Sequence, residues 1–153
     1  MTALDRLIAC AGNWSGTNRL QVSETDLPED SPSTAIVTPV LAGRFVRIDY
    51  TWAYDEKPQE GSLLIGYEAK TDRATAYWID SWHMSNMVMV CSGVVSENGG
   101  INVLGSYAAP PGPDWGWRVI IGPEDGQRLS VVMFNIDPDG REYFAIESIY
   151  TRA

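Results

Sequence analysis

One histidine, His83, and two widely separated cysteines, Cys10 and Cys91, are all the soft metal-ligating side chains in this chain. That set cannot build a usual zinc site, which needs four thiol or imidazole ligands at close spacings. No metal is expected. Glycine-rich phosphate cradles and nucleotide fingerprints are missing too. Bases are scarce: 11 Lys and Arg stand against 20 Asp and Glu, a net charge of −9. So acidic a surface repels phosphate backbones and anionic membranes, so neither nucleic acid nor a membrane is an expected partner. No run approaches the roughly 18 apolar residues of a membrane span. The opening ten residues carry an acid and a base within a short apolar stretch, which is not the pattern of a signal peptide. The expectation is a cytoplasmic protein with reduced, buried thiols.

Helix is nearly absent as well. Leu4, Leu7 and Ile8 fall at helical spacing, which predicts one short amphipathic helix over residues 3–10, ended near Gly12. After it the period changes to two. Ten segments read as strands: 13–22, 34–41, 44–54, 61–68, 74–82, 87–95, 101–107, 115–121, 129–136 and 142–151. The turns between them are mostly of hairpin length. Glu97-Asn98-Gly99-Gly100 and Asp137-Pro138-Asp139-Gly140 are the clearest, because Asn and Gly accept positive φ and Pro presets it. Residues 23–33 are acidic, polar and proline-containing, and read as a surface loop over a barrel mouth. A meander of this many strands closes on itself to remove its edges. At 153 residues the chain is expected to form one domain, 1–153.

The two ends of the chain say how the barrel closes. Gly12-Asn13-Trp14 opens the first strand and Tyr150-Thr151-Arg152 ends the last. A guanidinium on the last strand can stack on the first strand's indole, and the pair seals one end. This is the pattern of calycin (lipocalin-like) barrels. Further motifs carry a closer resemblance: Gly66-Tyr67 with Thr71-Asp72, Tyr77-Trp78-Ile79-Asp80-Ser81, Trp117-Arg118-Val119-Ile120-Ile121, and Pro138-Asp139-Gly140-Arg141-Glu142. With these the chain resembles the DUF1579 family over nearly its whole length. The resemblance implies an all-β, ten-stranded antiparallel up-and-down barrel with a short N-terminal helix and an internal cavity. It implies no established activity. The related nitrobindins hold haem with a histidine near the chain's end. Residues 129–153 contain none, so haem is not expected and no cofactor is assigned.

Candidate chemistry follows from the aromatic residues. Tyr50, Trp52 and Tyr54 alternate on one strand face, Trp78 and Trp82 on another, and Trp115 and Trp117 on a third. Large rings with one polar edge suit an apolar ligand cavity, and Met84, Met87 and Met89 add adaptable surface. Tyr50, Trp52, Tyr67, Trp78, Met89 and Trp117 are the expected ligand-binding residues. Arg118 joins them, as an inward guanidinium that grips a polar end or pairs with Glu147 or Asp80. Packing alone would equally explain the rings. Asp80, His83 and Glu147 are candidates for acid–base work. On a regular strand Asp80 and His83 would point to opposite faces, which makes His83 a rim residue. Ser81 shares its face, but no nucleophile elbow surrounds it.

Three functions fit these residues. The first is a barrel that binds a small hydrophobic or amphipathic molecule. The second is an isomerase or cyclase with one acid–base pair in the cavity. The third is a filled barrel acting as a dimeric interaction module, with an exposed apolar patch and no cavity.

Overall fold

A computed structural model describes residues 1–153. One helix, α1 (Ala3–Ile8), precedes ten strands: β1 (Gly12–Leu20), β2 (Glu29–Val40), β3 (Phe45–Tyr54), β4 (Lys57–Glu68), β5 (Arg73–Asp80), β6 (Met89–Val95), β7 (Ile101–Tyr107), β8 (Trp115–Glu124), β9 (Arg128–Ile136) and β10 (Glu142–Arg152). Each strand pairs antiparallel with its sequence neighbours, and β1 pairs with β10, so the sheet closes into a barrel. The expected all-β, ten-stranded fold is therefore the observed one. No helix is long and apolar enough to cross a membrane.

Alternation explains the core. On β5, Ala74, Ala76, Trp78 and Asp80 are buried while Thr75, Tyr77 and Ile79 face out. On β8, Trp117, Val119 and Ile121 point in. One apolar core runs the length of the barrel.

One end is stoppered. Thr2 caps α1: the Asp5 N–H donates to Thr2 Oγ1 (3.1 Å) and the Thr2 N–H returns to Asp5 Oδ2 (2.8 Å). The helix stops at Ile8, and a φ of +124° at Gly12 turns the chain into β1. Leu7 and Trp14 fill the interior, with 0% and 1% exposure. The Trp14 indole N–H donates to Cys10 O (2.8 Å). Arg152 stacks on that indole at 4.3 Å and donates to the carbonyls of Ala9 (2.8 Å), Ala11 (2.7 Å) and Gly126 (2.8 Å). Helix, first strand, last strand and the β8–β9 turn are thus tied by one guanidinium.

The other end is open. There the chain crosses through residues 21–28, 81–88, 108–114 and 137–141. The expected loop at 23–33 is shorter than the sequence suggests. Residues 29–33 extend β2, because Ser31 and Ser33 point inward and find partners there. Ser33 Oγ donates to Thr51 O (2.7 Å), and the Ala53 N–H donates to Ser31 Oγ (3.1 Å). Pro32 is accommodated with its side chain outside.

Candidate site at the open mouth of the barrel

The site begins with a buried carboxylate. Asp80 ends β5 with its side chain 1% exposed. Its Oδ1 accepts the backbone N–H groups of Trp82 (2.8 Å) and His83 (3.1 Å). An aspartate that binds the amides two and three residues on folds the chain into a turn. That turn is what sequence spacing misses. It carries the chain off the strand and back over the mouth, so His83 does not face away from Asp80. His83 Nδ1 lies 3.1 Å from Asp80 Oδ1, and the imidazole is 11% exposed rather than on the rim.

The second carboxylate oxygen, Oδ2, accepts the Tyr50 hydroxyl (2.6 Å) and the Trp52 indole N–H (3.3 Å). The Trp78 indole N–H in turn donates to the Tyr50 hydroxyl (2.8 Å). Gly61 makes this geometry feasible. It lies between the two residues in register, Tyr50 opposite Gly61 and Gly61 opposite Asp80. A Cβ at Gly61 would stand 2.2 Å from the Tyr50 hydroxyl oxygen, so only glycine lets the phenol cross β4 to the carboxylate.

The electrostatics follow from the partners. Burial, the largest single influence on Asp80, pushes its carboxyl up. Hydrogen bonds and charge from His83, with those from Tyr50 and the Trp82 N–H, outweigh it, and the carboxyl lies below its ordinary value. Tyr50 is driven well above the usual phenol range by burial, then by the Asp80 charge and hydrogen bond, so it stays a donor.

Above this floor lies a cavity of about 500 Å³. Its walls include Trp78, Trp82, Trp115, Trp117, Met84, Met89, Tyr107, Tyr143 and Phe144. Residues 20–24 line it as well, so the first loop does reach the mouth. Glu24 is held there by an ion pair to Arg141. Four indoles surround the imidazole, with centroids at 4.6 Å (Trp82), 5.4 Å (Trp78), 5.6 Å (Trp52) and 5.7 Å (Trp117). Trp78 and Trp117 stack at 5.2 Å with 10° between their planes.

His83 and Asn135 are polar residues of this lining that keep bonding capacity, as do the unpartnered indole N–H groups of Trp82 and Trp115. His83 lines the cavity and makes its side-chain hydrogen bond through Nδ1 alone, so Nε2 has no protein partner. Asn135 also lines it, and receives the Tyr107 hydroxyl on Oδ1 (2.6 Å), which leaves its amide nitrogen without a protein partner.

Of the ligand-binding candidates, Trp78, Met89 and Trp117 line the cavity. Tyr50 and Trp52 lie beneath it and hold Asp80. Tyr67 does not take part: it sits near the stoppered end, donating to Asp72 Oδ1 (2.5 Å). Arg118 faces outward, not inward. Its guanidinium donates to Glu142 Oε1 (2.7 Å) and Asn102 Oδ1 (2.8 Å), and neither Glu147 nor Asp80 is its partner. Alternation requires this, since neighbouring Trp117 points in. Glu147 also faces outward, opposite Arg19 of β1, and takes no part in the site. Met87 is 66% exposed. Tyr107, Asn135, Tyr143 and Phe144 are the cavity residues that sequence reasoning missed. For Asn135 a signal existed, because it continues the inward set Leu129, Val131 and Met133 of β9.

The open cavity also bears on the third expected function. The cavity lies at the mouth while the barrel's body is packed with apolar side chains, and an apolar patch of Tyr77, Ile79, Val88 and Val90 lies on the outer face near β5 and β6.

A family model described as "Protein of unknown function (DUF1579)" matches residues 4–152. The chain belongs to the DUF1579 family. No curated protein matches it. Among solved structures it is similar to Rv2717c from M. tuberculosis, with a TM-score of 0.66 and 15% identity. The match covers 100% of this chain and 98% of that one. At that identity the likeness concerns the fold alone.

Proposed function

We propose that this DUF1579 barrel binds a small, flat amphipathic molecule at its open mouth. The observation that carries the reading is the cavity of about 500 Å³ walled mainly by indole, phenol and thioether groups, with a few polar groups, His83 and Asn135 among them, at its lining. Ligand sites are typically ~300–1,000 Å³, mostly apolar, with a few placed polar atoms. The rings and Met89 would enclose the ligand's body. His83 Nε2 and the Asn135 amide would fix its polar end. The two free, buried thiols suit a reducing compartment, so we place this activity in the cytoplasm.

Titration with 1-anilinonaphthalene-8-sulfonate tests the reading. Binding should enhance the dye's fluorescence and quench tryptophan. Met84→Glu puts a like charge on the cavity turn and should weaken binding at least about tenfold by charge repulsion and desolvation. Val90→Ser, on the outer patch, should leave it unchanged. Binding lost with Val90→Ser and retained with Met84→Glu would overturn the reading.

A further inference from the structure

The Asp80–His83 pair has the arrangement of a proton-transfer centre. An imidazole presents one nitrogen to a ligand in a defined state when its other nitrogen is held by a carboxylate. Here five donors converge on Asp80: the Trp82 and His83 amides, the Tyr50 hydroxyl, the Trp52 indole and His83 Nδ1. A carboxylate so held accepts a hydrogen bond from the Nδ1–H of the neutral imidazole, which leaves the lone pair on Nε2. His83 lines the apolar cavity, and this nitrogen has no protein partner. The fold itself uses only the backbone N–H and Nδ1 of His83, so Nε2 is spare.

A second group complements it. Asn135 is the cross-strand partner of Trp117, whose ring centroid lies 5.7 Å from the imidazole. The Tyr107 hydroxyl occupies its carbonyl oxygen, so what Asn135 offers the cavity is an N–H donor. A base and a neutral donor lining one cavity match an enolisable carbonyl compound. The donor would hold the oxygen, and the base would face the adjacent carbon.

We propose that His83 Nε2 is a general base that removes the α-proton of a flat, apolar ketone or aldehyde bound in the cavity, with the Asn135 amide holding the carbonyl oxygen. The Cα–H bond breaks and its electron pair forms the C=C bond of an enolate. The carbonyl π pair moves to oxygen, where the Asn135 N–H stabilises it. The proton stays on Nε2 and returns to the same carbon, or to a conjugated one, which shifts the double bond. No oxidant, reductant or second substrate is consumed. The substrate class rests on the binding reading given above.

The test uses 2-tetralone, a flat enolisable ketone, with the full-length protein in D2O. One NMR sample reads both properties. Saturation transfer from protein to ketone reports binding, and loss of the α-proton signals reports exchange. The expected result is binding with exchange about 100-fold faster than with free imidazole at the same concentration, within the range of positioned general bases. His83→Gln keeps a donor for Asp80, and should retain saturation transfer while exchange falls to the imidazole rate. Asn135→Leu, away from the Asp80 network, should weaken binding and slow exchange together. Tetralone bound but exchanged at the imidazole rate would overturn the proposal and leave the binding reading standing. So would a protein that binds 1-anilinonaphthalene-8-sulfonate but not tetralone. Failure to bind either probe would overturn both.

Discussion

Gly61→Ala should destabilise the barrel by breaking the hydrogen-bond network beneath the cavity. The added Cβ would lie 2.2 Å from the Tyr50 hydroxyl oxygen, 2.4 Å from its Cζ and 2.8 Å from the Ile79 carbonyl oxygen. The phenol must leave. It then gives up its bond to Asp80 and ceases to accept from Trp78. Overpacking a tight site costs about 1–3 kcal/mol, and a buried polar group left without its partner costs about 1–3 more. The sum is about 2–6 kcal/mol. For a chain of this size, that lowers Tm by about 4–24 °C. Thermal unfolding followed by circular dichroism measures it. Tyr50→Leu removes the ring that clashes, so the double variant should be less destabilised than the sum of the singles by more than about 1 kcal/mol. A Gly61→Ala protein within about 0.5 kcal/mol of wild type, or strict additivity with Tyr50→Leu, would refute the Tyr50–Gly61–Asp80 geometry.

Asp80 makes a prediction with a definite sign. Its folded carboxyl lies below the ordinary 3.8, so it contributes stability above that value and loses it as pH falls through the folded value. Asp80→Asn should flatten the acid limb of a stability profile below about pH 4, and an unchanged limb would count against the network. Arg152→Ala should cost about 2 kcal/mol through lost carbonyl bonds and the Trp14 stack, and Arg152→Lys should restore only part of it. Denaturant titration reads both variants, and a fully rescuing Lys would refute the role of the planar fork. Burial holds Cys91 at about 11 and pushes the Cys10 thiol up as well. Neither should react with iodoacetamide at pH 8 until the protein unfolds, which mass spectrometry can follow.

The barrel was legible because period-two alternation and hairpin turns are local signals, and because Trp14 and Arg152 mark the closure by residue type. Residues 29–33 were not legible as strand. Ser31, Pro32 and Ser33 read as loop, and only the inward hydroxyl partners of a closed barrel make them β2. The aromatic walls could be read strand by strand. Arg118 could have been corrected by parity, since Trp117 and Arg118 cannot both point inward. The Asp80–His83 contact could not be read that way. It exists because the Asp80 side chain ends the strand and bends the chain, so the three-residue spacing obeys turn geometry instead of strand geometry. The role of Gly61 was equally hidden, because it depends on register across three strands.

Ligand binding at the open mouth is tested most directly by following the six indole N–H signals in a nitrogen-15 NMR titration with 1-anilinonaphthalene-8-sulfonate. The Trp117 indole of the cavity wall donates its N–H to the buried Met133 thioether, and that of Trp78 donates to Tyr50 beneath the cavity. Trp14 is bonded to the Cys10 carbonyl at the stoppered end and serves as the internal control. Saturable shifts at Trp78, Trp82 and Trp117 with Trp14 unmoved are the predicted result. Shifts confined to Trp14, or none at any indole while the dye binds, would contradict a ligand site at the open mouth.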